Sequence, residues 1–339
     1  MPNKETTIYD IAERLRLSPS TISRGLKGHY TVSLKTQQKI RDTAEAMGYR
    51  TNTFAANLRR QRTNTIGIII PRFNSYFMSE VIAGAEKVTN EAGYNLIISQ
   101  SLERMDKEVS NVKTMFANRV DGLLVSLAEN TNHTDHFNLF LNKGIPVLFF
   151  DRVSAGEKLP SIVIDNERAG HLITEHLIKQ GAKNIIHITG NQLRNVYADS
   201  LKAYQRALAE HGIPYQPQNI LVNDLSEQAA IPTANQIIDL KADPVFAAND
   251  NCAVSCMNEL KRLGVKIPHD IAFAGFNNDM ISRNVDPPLT TINYPGFEMG
   301  EAAAQNLLKH LAGETSIHPA GRVTLNADLI IRSSSLFRK

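Results

Sequence analysis

The 339-residue sequence predicts an α/β protein with a three-helix head and a core of two doubly wound parallel sheets. Residues 1–50 show helical apolar periodicity with capping residues, whereas short apolar runs alternate with amphipathic stretches from residue 65 onward. The charge changes at the same point. Residues 1–63 hold twelve Lys and Arg against five Asp and Glu, a net +7, while the rest holds 25 against 29, a net −4. A basic head on a mildly acidic body is expected where one segment contacts phosphate groups.

The first helix of the head is predicted from the spacing of its apolar residues. Ile8, Ile11, Ala12 and Leu15 fall at positions i, i+3, i+4 and i+7, so one helical face is apolar. Thr7 precedes them and is a suitable N-cap, because its hydroxyl can accept a hydrogen bond from a free amide of the first turn. A short helix with one buried face is therefore expected here.

A second helix is expected to begin at Pro19, directly after a tight turn. Ser18 is a suitable N-cap, and proline fits the first helical position because its missing amide has no intrahelical partner there. Ile22 and Leu26 would face inward. The residues left outward near the start of this helix, where a recognition helix presents side chains to base edges, are Pro19, Ser20, Ser23 and Arg24.

A third helix over residues 33–47, stopped by Gly48, would complete the head. Periodicity alone fits any helical hairpin with a buried stripe. The net charge of this region favours a segment that binds DNA. The inward residues of the third helix are expected to be Thr36, Ile40, Ala44 and Met47.

Residues 52–62 (NTFAANLRRQR) follow the head as a short stretch of helix formers with three arginines. They hold too little apolar surface to fold alone, and isolated helices under ~12 residues are marginal in water, so we expect them to order against DNA or a partner copy. Small residues and Leu58, followed by arginines, suit insertion into the minor groove. The alternative is an ordinary basic linker, and the neighbouring basic head favours the first interpretation.

From residue 64 onward, the chain alternates apolar runs with helical patterns around residues 79–91, 107–118 and 133–142. Such runs are typical of parallel strands buried on both faces, and two series of them predict two sheets. Ligands bind at the carboxyl ends of the strands in such folds, so the cleft between the sheets is the expected site. The predicted strands are residues 65–70, 94–99, 122–126 and 147–150 in the first series and 161–164, 185–189, 220–222, 245–248 and 271–274 in the second.

Composition disfavours several classes of protein. No apolar run approaches the ~20 residues of a membrane span, and the N-terminus lacks the apolar stretch of a secretory signal, so we expect a cytoplasmic protein without membrane contact. A transport-type sugar receptor would need an export signal and would not need a basic head. The motifs GxGxxG, GxxxxGKS/T and GxSxG are absent, so we expect no enzyme and no cofactor.

The cysteines and histidines give no metal-binding pattern. Cys252 and Cys256 lie four residues apart in a predicted helix, where two thiols could hold a metal or sense redox state. No cluster of His or Cys stands beside them, so burial as small side chains is favoured, and we expect no metal. His29, His133 and His136 lack nearby ligand spacing and are expected at the solvated surface.

Beyond these patterns, the chain resembles the lactose-repressor (LacI/GalR) family. The head TIYDIAERLRLSPSTISRGLKGHYTVSLKTQQKIRDTAEAMGY is followed by NTFAANLR and TNTIGIIIP, and then by VDGLLVS, IPVLFFDR, VFAAND, IAFAGFNN and PPLTTINYP. Each segment alone is a weak signal, but their order and spacing match over essentially the whole chain. The resemblance implies a homodimeric transcriptional regulator, which we expect to be a repressor.

The resemblance also implies a domain organisation. A helix-turn-helix DNA-binding domain over residues 1–50 and a hinge helix with linker over residues 51–64 would precede a periplasmic-binding-protein-like type I core. A sugar or sugar derivative bound between its two lobes would control operator affinity allosterically. The chain would cross between lobes near residues 164–165, 291–294 and 321–324. The N-terminal lobe would hold residues 65–163 and 294–321, and the C-terminal lobe residues 164–293 and 322–339.

Residue by residue, the resemblance places base reading at Pro19, Ser20 and Arg24. Pro19 has no donor and Ser20 discriminates weakly, so Arg24 is expected to supply most direct readout, with two hydrogen bonds to a guanine. Leu58 would be the minor-groove wedge. Dimeric heads need half-sites roughly 34 Å apart, so a near-palindromic double-stranded operator is expected. The full set of implied DNA contacts is Thr7, Pro19, Ser20, Thr21, Ser23, Arg24, Asn52, Ala55, Leu58 and Arg59.

Two residues of the head and hinge depart from the family's pattern. Arg16 stands where the turn usually has glycine, so arginine bears strain if the turn needs a positive φ there. Thr51 replaces the proline that usually precedes Asn52, which would loosen the hinge. Neither departure removes the implied DNA binding.

The implied effector site combines polar and apolar residues of both lobes. Arg194 is the strongest candidate, because it is predicted on a loop that faces the cleft. Asp151 could instead organise its loop, Asn249 or Asp250 could cap the helix that follows, and Phe77 could equally be core. The implied positions are Phe77, Met78, Asp151, Arg152, Arg194, Val196, Ser200, Leu225, Asn249 and Asn277.

Three residues of this site also depart from the family's pattern. Ser200 occupies the position where sugar- and purine-responsive members usually carry a ligand-gripping arginine. Asn277 stands where many have aspartate, and Tyr294 where glutamine often precedes the proline. The loss of a cation and an anion changes what the pocket can recognise, and two effectors remain open: a neutral sugar, or an acidic sugar held by Arg152 or Arg194.

Overall fold

The computed structural model describes residues 6–49, 62–154, 159–314 and 321–336. The chain divides into two compact units, Met1–Thr63 and Asn64–Lys339, which we call the head and the core. The predicted hinge positions lie outside the described residues, and these are Thr51, Asn52, Ala55, Leu58 and Arg59.

Three helices form the head, namely α1 (Ile8–Leu15), α2 (Pro19–Leu26) and α3 (Leu34–Ala46). Thr7 caps α1 in a capping box with Asp10, and Ser18 caps α2, in which Pro19 is the first residue. Both capping predictions are confirmed. The caps satisfy amides that have no partner within the helix, which explains why helices of only eight residues form here.

The core of the head is built from one isoleucine of each helix. Ile11, Ile22 and Ile40 are fully buried and pack together. The prediction for α3 was wrong at one position, because Gln37 is buried where Thr36 was expected. The Gln37 amide donates to the backbone oxygens of His29 and Val32, at 3.1 and 2.8 Å, so burial of this polar side chain is compensated by two hydrogen bonds.

The turn between α1 and α2 requires a left-handed residue, and that residue is Arg16, with φ 51° and ψ 44°. Its amide donates to the backbone oxygens of Ala12 and Glu13, which closes α1. Left-handed backbone costs a residue with a Cβ about 1–2 kcal/mol. The strain anticipated from the sequence is therefore present.

Arg16→Gly is expected to stabilise the head by about 1 kcal/mol, because relief of strain exceeds the backbone entropy that glycine adds to the unfolded chain. The measurement is the opening free energy of the Ile11 and Ile22 amides by hydrogen exchange in the full chain. Arg14→Gly is the matched control, since it removes an exposed arginine inside α1 and should destabilise by about 1 kcal/mol. Equal losses for both variants would contradict the expectation.

The core contains two parallel sheets with helices on their faces. The strands of the first sheet are β1 (Thr65–Ile70), β2 (Asn95–Gln100), β3 (Gly122–Val125), β4 (Val147–Phe150), β5 (Ser161–Ile164) and β11 (Arg322–Leu325), and those of the second are β6 (Ile186–Thr189), β7 (Ile220–Val222), β8 (Pro244–Ala247) and β9 (Ala272–Ala274). Two short strands, β10 (Thr291–Asn293) and β12 (Asp328–Ile330), pair antiparallel beside them.

Helices connect these strands. They are α4 (Tyr76–Glu91), α5 (Met105–Ala117), α6 (Asn138–Leu141), α7 (Asn166–Lys179), α8 (Asn195–Glu210), α9 (Ala230–Asp239), α10 (Asp250–Arg262), α11 (Met280–Asn284) and α12 (Gly296–Leu311). One predicted helix is much shorter than expected, because residues 133–142 form a 3₁₀ turn, Asp135–Phe137, followed by the single turn α6. Neither piece has a side-chain cap.

The first sheet has the order β11-β5-β4-β3-β1-β2, and the second has the order β7-β6-β8-β9. Alternate residues of β1 enter different hydrophobic clusters on the two faces. Ile66 and Ile68 pack with α4 and α12, whereas Ile69 packs with Val112 and Met115 of α5. This two-sided burial explains the continuous apolar run in β1.

The position of β11 differs from the predicted lobe boundary. Residues 322–339 were assigned to the C-terminal lobe, but β11 pairs in parallel with β5 in the first sheet, with Arg322 beside Ser161 and Leu325 beside Ile164. The pairing covers β5, whose four residues are all buried, and leaves the more exposed β11 at the edge of the sheet. The third crossing therefore follows Leu325, rather than falling at residues 321–324.

Helices α4 and α12 cross at two glycines on one face of the first sheet. A Cβ atom at Gly84 would lie 2.0 Å from the Phe297 backbone oxygen, and one at Gly300 would lie 2.0 Å from the Val81 backbone oxygen. These distances are far below van der Waals contact, so the two backbones touch and no side chain fits between them.

Candidate functional site

The outward surface of α2 carries the residues expected to read DNA. Ser20 and Arg24 are exposed, whereas Pro19, Thr21 and Ser23 are half-buried. The Arg24 Nε donates to the Ser20 backbone oxygen at 3.3 Å, which lays the guanidinium along the exposed side of the helix. Thr7 lies at the cap of α1 and is exposed as well.

Seven cations lie within residues 6–49 of the head, and all are exposed. None of them forms an ion pair within residues 6–49, so their charges are available to phosphate groups. They are Arg14, Arg16, Arg24, Lys27, Lys35, Lys39 and Arg41.

A cleft of about 530 Å³ lies in the core, at the carboxyl ends of strands from both sheets. Every implied effector position except Arg194 lines it. The lining therefore includes Phe77, Met78, Asp151, Arg152, Val196, Ser200, Leu225, Asn249 and Asn277. The volume fits a small molecule of the size of a mono- or disaccharide.

The strongest sequence candidate, Arg194, is placed elsewhere. It is 3% exposed, does not line the cleft, and donates through Nη2 to the Thr131 backbone oxygen. Burial, together with the nearby Arg152, lowers the pKa of Arg194. It is the N-cap of α8, and the loop before it packs against the other lobe through a hydrogen bond from Asn191 to the Glu129 backbone oxygen, at 3.4 Å. Arg194 therefore connects the two lobes. The prediction that it lines the effector cleft was wrong.

Asp151 both organises its loop and lines the cleft. It has a positive φ of 57°, and its carboxylate accepts hydrogen bonds from Tyr294 Oη at 2.6 Å and Ser126 Oγ at 3.1 Å. Burial raises the pKa of Asp151, and Arg152 and these hydrogen bonds oppose the shift. The two interpretations of this residue are therefore compatible.

Asn195 connects the lobes next to Asp151. Its Oδ1 accepts from the Val153 amide at 2.9 Å, and its Nδ2 donates to the Asp151 backbone oxygen at 3.0 Å. Asn195 is the first residue of α8, the helix that also carries Ser200 into the cleft. One side chain thus links the end of β4 to the second lobe.

Arg152 forms an ion pair and a second hydrogen bond within the protein. Its guanidinium donates to Glu103 Oε2 at 2.7 Å and to Tyr197 Oη at 3.0 Å. Arg72 pairs with the other oxygen of Glu103 at 3.3 Å. Two cations of the cleft therefore share one carboxylate.

Asn249 caps α10, as the alternative interpretation expected, because its Oδ1 accepts from the Cys252 amide at 2.7 Å. Phe77 is buried and its ring is tilted by 40° against the ring of Tyr294, with centroids 4.3 Å apart, and Phe276 meets Tyr294 edge to face at 5.8 Å. These aromatic residues line one part of the cleft and also belong to the core. Neither alternative excludes contact with a ligand.

Several lining residues were not found from the sequence. Asn166 follows β5 and could have been found from its place after a strand, whereas Glu103, Tyr197 and Asp279 carry no such signal. His136 was also predicted wrongly, because it is buried and its Nε2 lies 2.9 Å from Glu108 Oε1. The buried Glu108 carboxylate needs donors, which explains why His136 is not at the surface.

Cys252 and Cys256 are both buried free thiols, and this prediction is confirmed. A hydrogen bond with Cys252, together with burial, raises the pKa of Cys256. Within the described ranges, no group of three or more His, Cys, Asp or Glu side chains is placed to hold a metal ion. No helix in the same ranges is long and apolar enough to cross a membrane.

Comparisons with known proteins match both units. Residues 7–52 match the model of bacterial regulatory proteins of the lacI family, and residues 174–335 match the periplasmic binding protein-like domain. Catabolite control protein A of Priestia megaterium is 30% identical over 91% of this chain and 93% of its own length.

Two solved structures resemble the chain in fold. The lac repressor dimer bound to operator and the anti-inducer ONPF has a TM-score of 0.86 at 24% identity, over 98% of this chain and all of that chain. The complex of the transcriptional regulator CelR with cellobiose has a TM-score of 0.72 at 24% identity, over 97% of this chain and all of that one. The helix-turn-helix head and the two-lobed core of parallel sheets are therefore confirmed.

Proposed function

Since this chain belongs to the LacI family of bacterial regulatory proteins, we propose that it is a ligand-controlled transcriptional repressor. The observation that carries the proposal is the combination, in one chain, of an exposed basic helix-turn-helix surface with a separate cleft of about 530 Å³. The relatives are named as regulators, not as enzymes. The head would supply affinity for phosphate groups and for base edges, and the cleft would supply control.

The DNA target would be a near-palindromic operator bound by a homodimer in the cytoplasm. One α2 helix would enter the major groove of each half-site, with half-sites roughly 34 Å apart. Arg24 would read a base, and the exposed cations of the head would contact the phosphate backbone. The hinge residues, with Leu58 as wedge, would enter the minor groove between the half-sites.

The ligand would be a neutral, hydroxyl-rich molecule of the carbohydrate class. Of the two arginines considered for an acidic sugar, Arg194 does not line the cleft and Arg152 is paired with Glu103. The rings of Phe77 and Tyr294 line the cleft and supply aromatic surface of the kind that covers the apolar face of a sugar. Cellobiose bound to CelR, a protein of the same fold, supports this ligand class.

The ligand would control DNA affinity by changing the position of one lobe relative to the other. Ligand in the cleft would close or twist them, change the spacing of the paired hinge segments, and shift the population that binds DNA. Coupling of this kind is typically 1–3 kcal/mol, or roughly 5- to 150-fold in affinity. By linkage, operator DNA would change ligand affinity by the same factor.

The test is a gel shift with the full chain and the DNA upstream of its own gene, at moderate salt, with and without candidate sugars. We expect preference for a near-palindromic site over random DNA, and a change of roughly 5- to 150-fold with one of the sugars. Binding without sequence preference, in every condition, would contradict DNA reading. Equal ligand affinity with and without operator would contradict the allosteric part of the proposal.

A further inference from the structure

Asp279 is a buried carboxylate on the wall of the cleft with one oxygen unused. It is 3% exposed and directly precedes α11. Its Oδ2 accepts a hydrogen bond from Asn251 Nδ2 at 3.1 Å, whereas Oδ1 has no hydrogen-bond partner in the described chain. Because nearly all buried polar atoms in folded proteins are hydrogen-bonded, this oxygen needs an explanation.

The local helix does not explain it. Asp279 occupies the N-cap of α11, where an aspartate normally accepts from an amide of the first turn. Here its side chain makes no capping bond, and Ser282 instead donates its amide to the Asp279 backbone oxygen at 2.9 Å. The Asp279 carboxylate therefore does not cap α11, although its position in the chain would allow it.

The surrounding charges do not explain it either. The Asp279 amide donates to Oδ2 of Asp250, a second fully buried carboxylate, at 2.8 Å. Arg332, a cation whose charge acts on Asp250, donates to Asn278 and Ser282. Burial raises the pKa of Asp279 to about 6, although the Asn277 amide opposes the shift. Asp279 is thus a buried carboxylate with only part of its hydrogen-bonding capacity satisfied, which costs stability.

Two other buried atoms of the cleft are in the same condition. Asn166 and Ser200 both line the cleft. Asn166 Oδ1 and Ser200 Oγ are buried and have no hydrogen-bond partner in the described chain. They belong to α7 and α8, so three separate elements of the second lobe each present one unsatisfied oxygen. A carboxylate oxygen and an amide oxygen can only accept, and a hydroxyl can accept or donate. This wall therefore needs hydrogen-bond donors.

Resting on the ligand-controlled function proposed above, we propose that Asp279 is a ligand-binding residue that selects the effector by its donors. Its Oδ1 accepts a hydrogen bond from a hydroxyl or ammonium group of the ligand, and Asn166 and Ser200 accept further donors beside it. A ligand that presents a carboxylate or phosphate to Asp279 is repelled, because two anionic groups would then face each other in a buried site. The effector is thus a neutral polyol or an amino sugar, in preference to a sugar acid.

The test compares the full-length wild type with Asp279→Asn, which keeps the shape and removes the charge. Thermal shift and calorimetry are run with D-glucose, D-glucosamine, D-glucuronate, D-ribose and cellobiose. We expect a neutral or amino member to bind the wild type and glucuronate not to bind. Asp279→Asn should weaken the affinity for that sugar by about 10- to 100-fold, the usual effect of losing a hydrogen bond to a charged group. The matched control is Asp239→Asn, the same charge change on the exposed end of α9 and outside the cleft.

Stability separates a binding role from a structural one. A carboxylate held only for binding predicts that ligand-free Asp279→Asn melts at the wild-type temperature or above, while a structural carboxylate predicts a lower value. Unchanged affinity in Asp279→Asn, a lower melting temperature with unchanged affinity, or preference for glucuronate would overturn the inference. If the wild type binds none of the five sugars, the ligand class assigned to this wall is wrong. The proposed regulatory function is tested separately by the gel shift.

Discussion

Gly300→Ala is expected to destabilise the core by about 3 kcal/mol, the upper end of the usual cost of overpacking. In an ordinary helix this substitution stabilises by up to about 1 kcal/mol, because alanine is the better helix former. The sign reverses here because the added Cβ would lie 2.0 Å from the Val81 backbone oxygen, and backbone cannot rotate away as a side chain can. Helices α4 and α12 would have to separate, which removes contacts along both.

Urea unfolding of the full chain measures this change in the transition of the core. Gln305→Ala is the control, because Gln305 is exposed on the same helix, α12, and its replacement should change stability by less than about 0.5 kcal/mol. A stabilised Gly300→Ala protein would show that the helices do not touch at this point. Gly84→Ala meets the Phe297 backbone oxygen at the same distance and should repeat the result.

Arg24→Ala is expected to abolish most discrimination between operator and random DNA. A guanidinium with two hydrogen bonds to one guanine contributes about 1–3 kcal/mol of specificity, or about 5- to 150-fold, at each half-site. Arg24 is exposed on α2 and forms no ion pair in the described head, so its loss should leave the fold unchanged. Competition gel shifts with operator and random duplexes measure the ratio of affinities.

Arg59→Ala serves as the matched control for this experiment, because the same residue type is removed from a segment expected to contact phosphate groups. It should weaken binding to all sequences alike and flatten the dependence on salt concentration. If Arg24→Ala instead weakened operator and random DNA by the same factor, Arg24 would be a phosphate contact, and base reading would have to come from other residues of α2.

The sequence predicted the parts of the fold that local rules determine. Caps and apolar spacing placed α1 and α2 correctly, because Thr7, Ser18 and Pro19 act within one turn of chain. Buried strands such as β1 were found because apolar runs are required wherever both faces of a sheet are covered. The confirmed family resemblance added the arrangement of a head followed by a two-lobed core, which local sequence patterns do not predict.

What the sequence did not predict depends on partners far away in the chain. Arg194 was expected in the cleft, but Thr131 of the other lobe holds it. His136 was expected at the surface, but Glu108 lies 28 residues earlier and requires a donor. Asp279 was overlooked, since its importance rests on an oxygen that remains unpaired after the chain has folded. Periodicity gives no information on such pairings.

The side-chain amide of Asn195 has a consequence for how the two lobes move. By accepting from the Val153 amide and donating to the Asp151 oxygen, it imitates the backbone of a neighbouring strand and extends the hydrogen-bond ladder of β4 by one rung. Both bonds belong to one planar group, so a rotation of the second lobe breaks them together. Loss of both hydrogen bonds in one step would favour a two-state movement of the lobes over a gradual one.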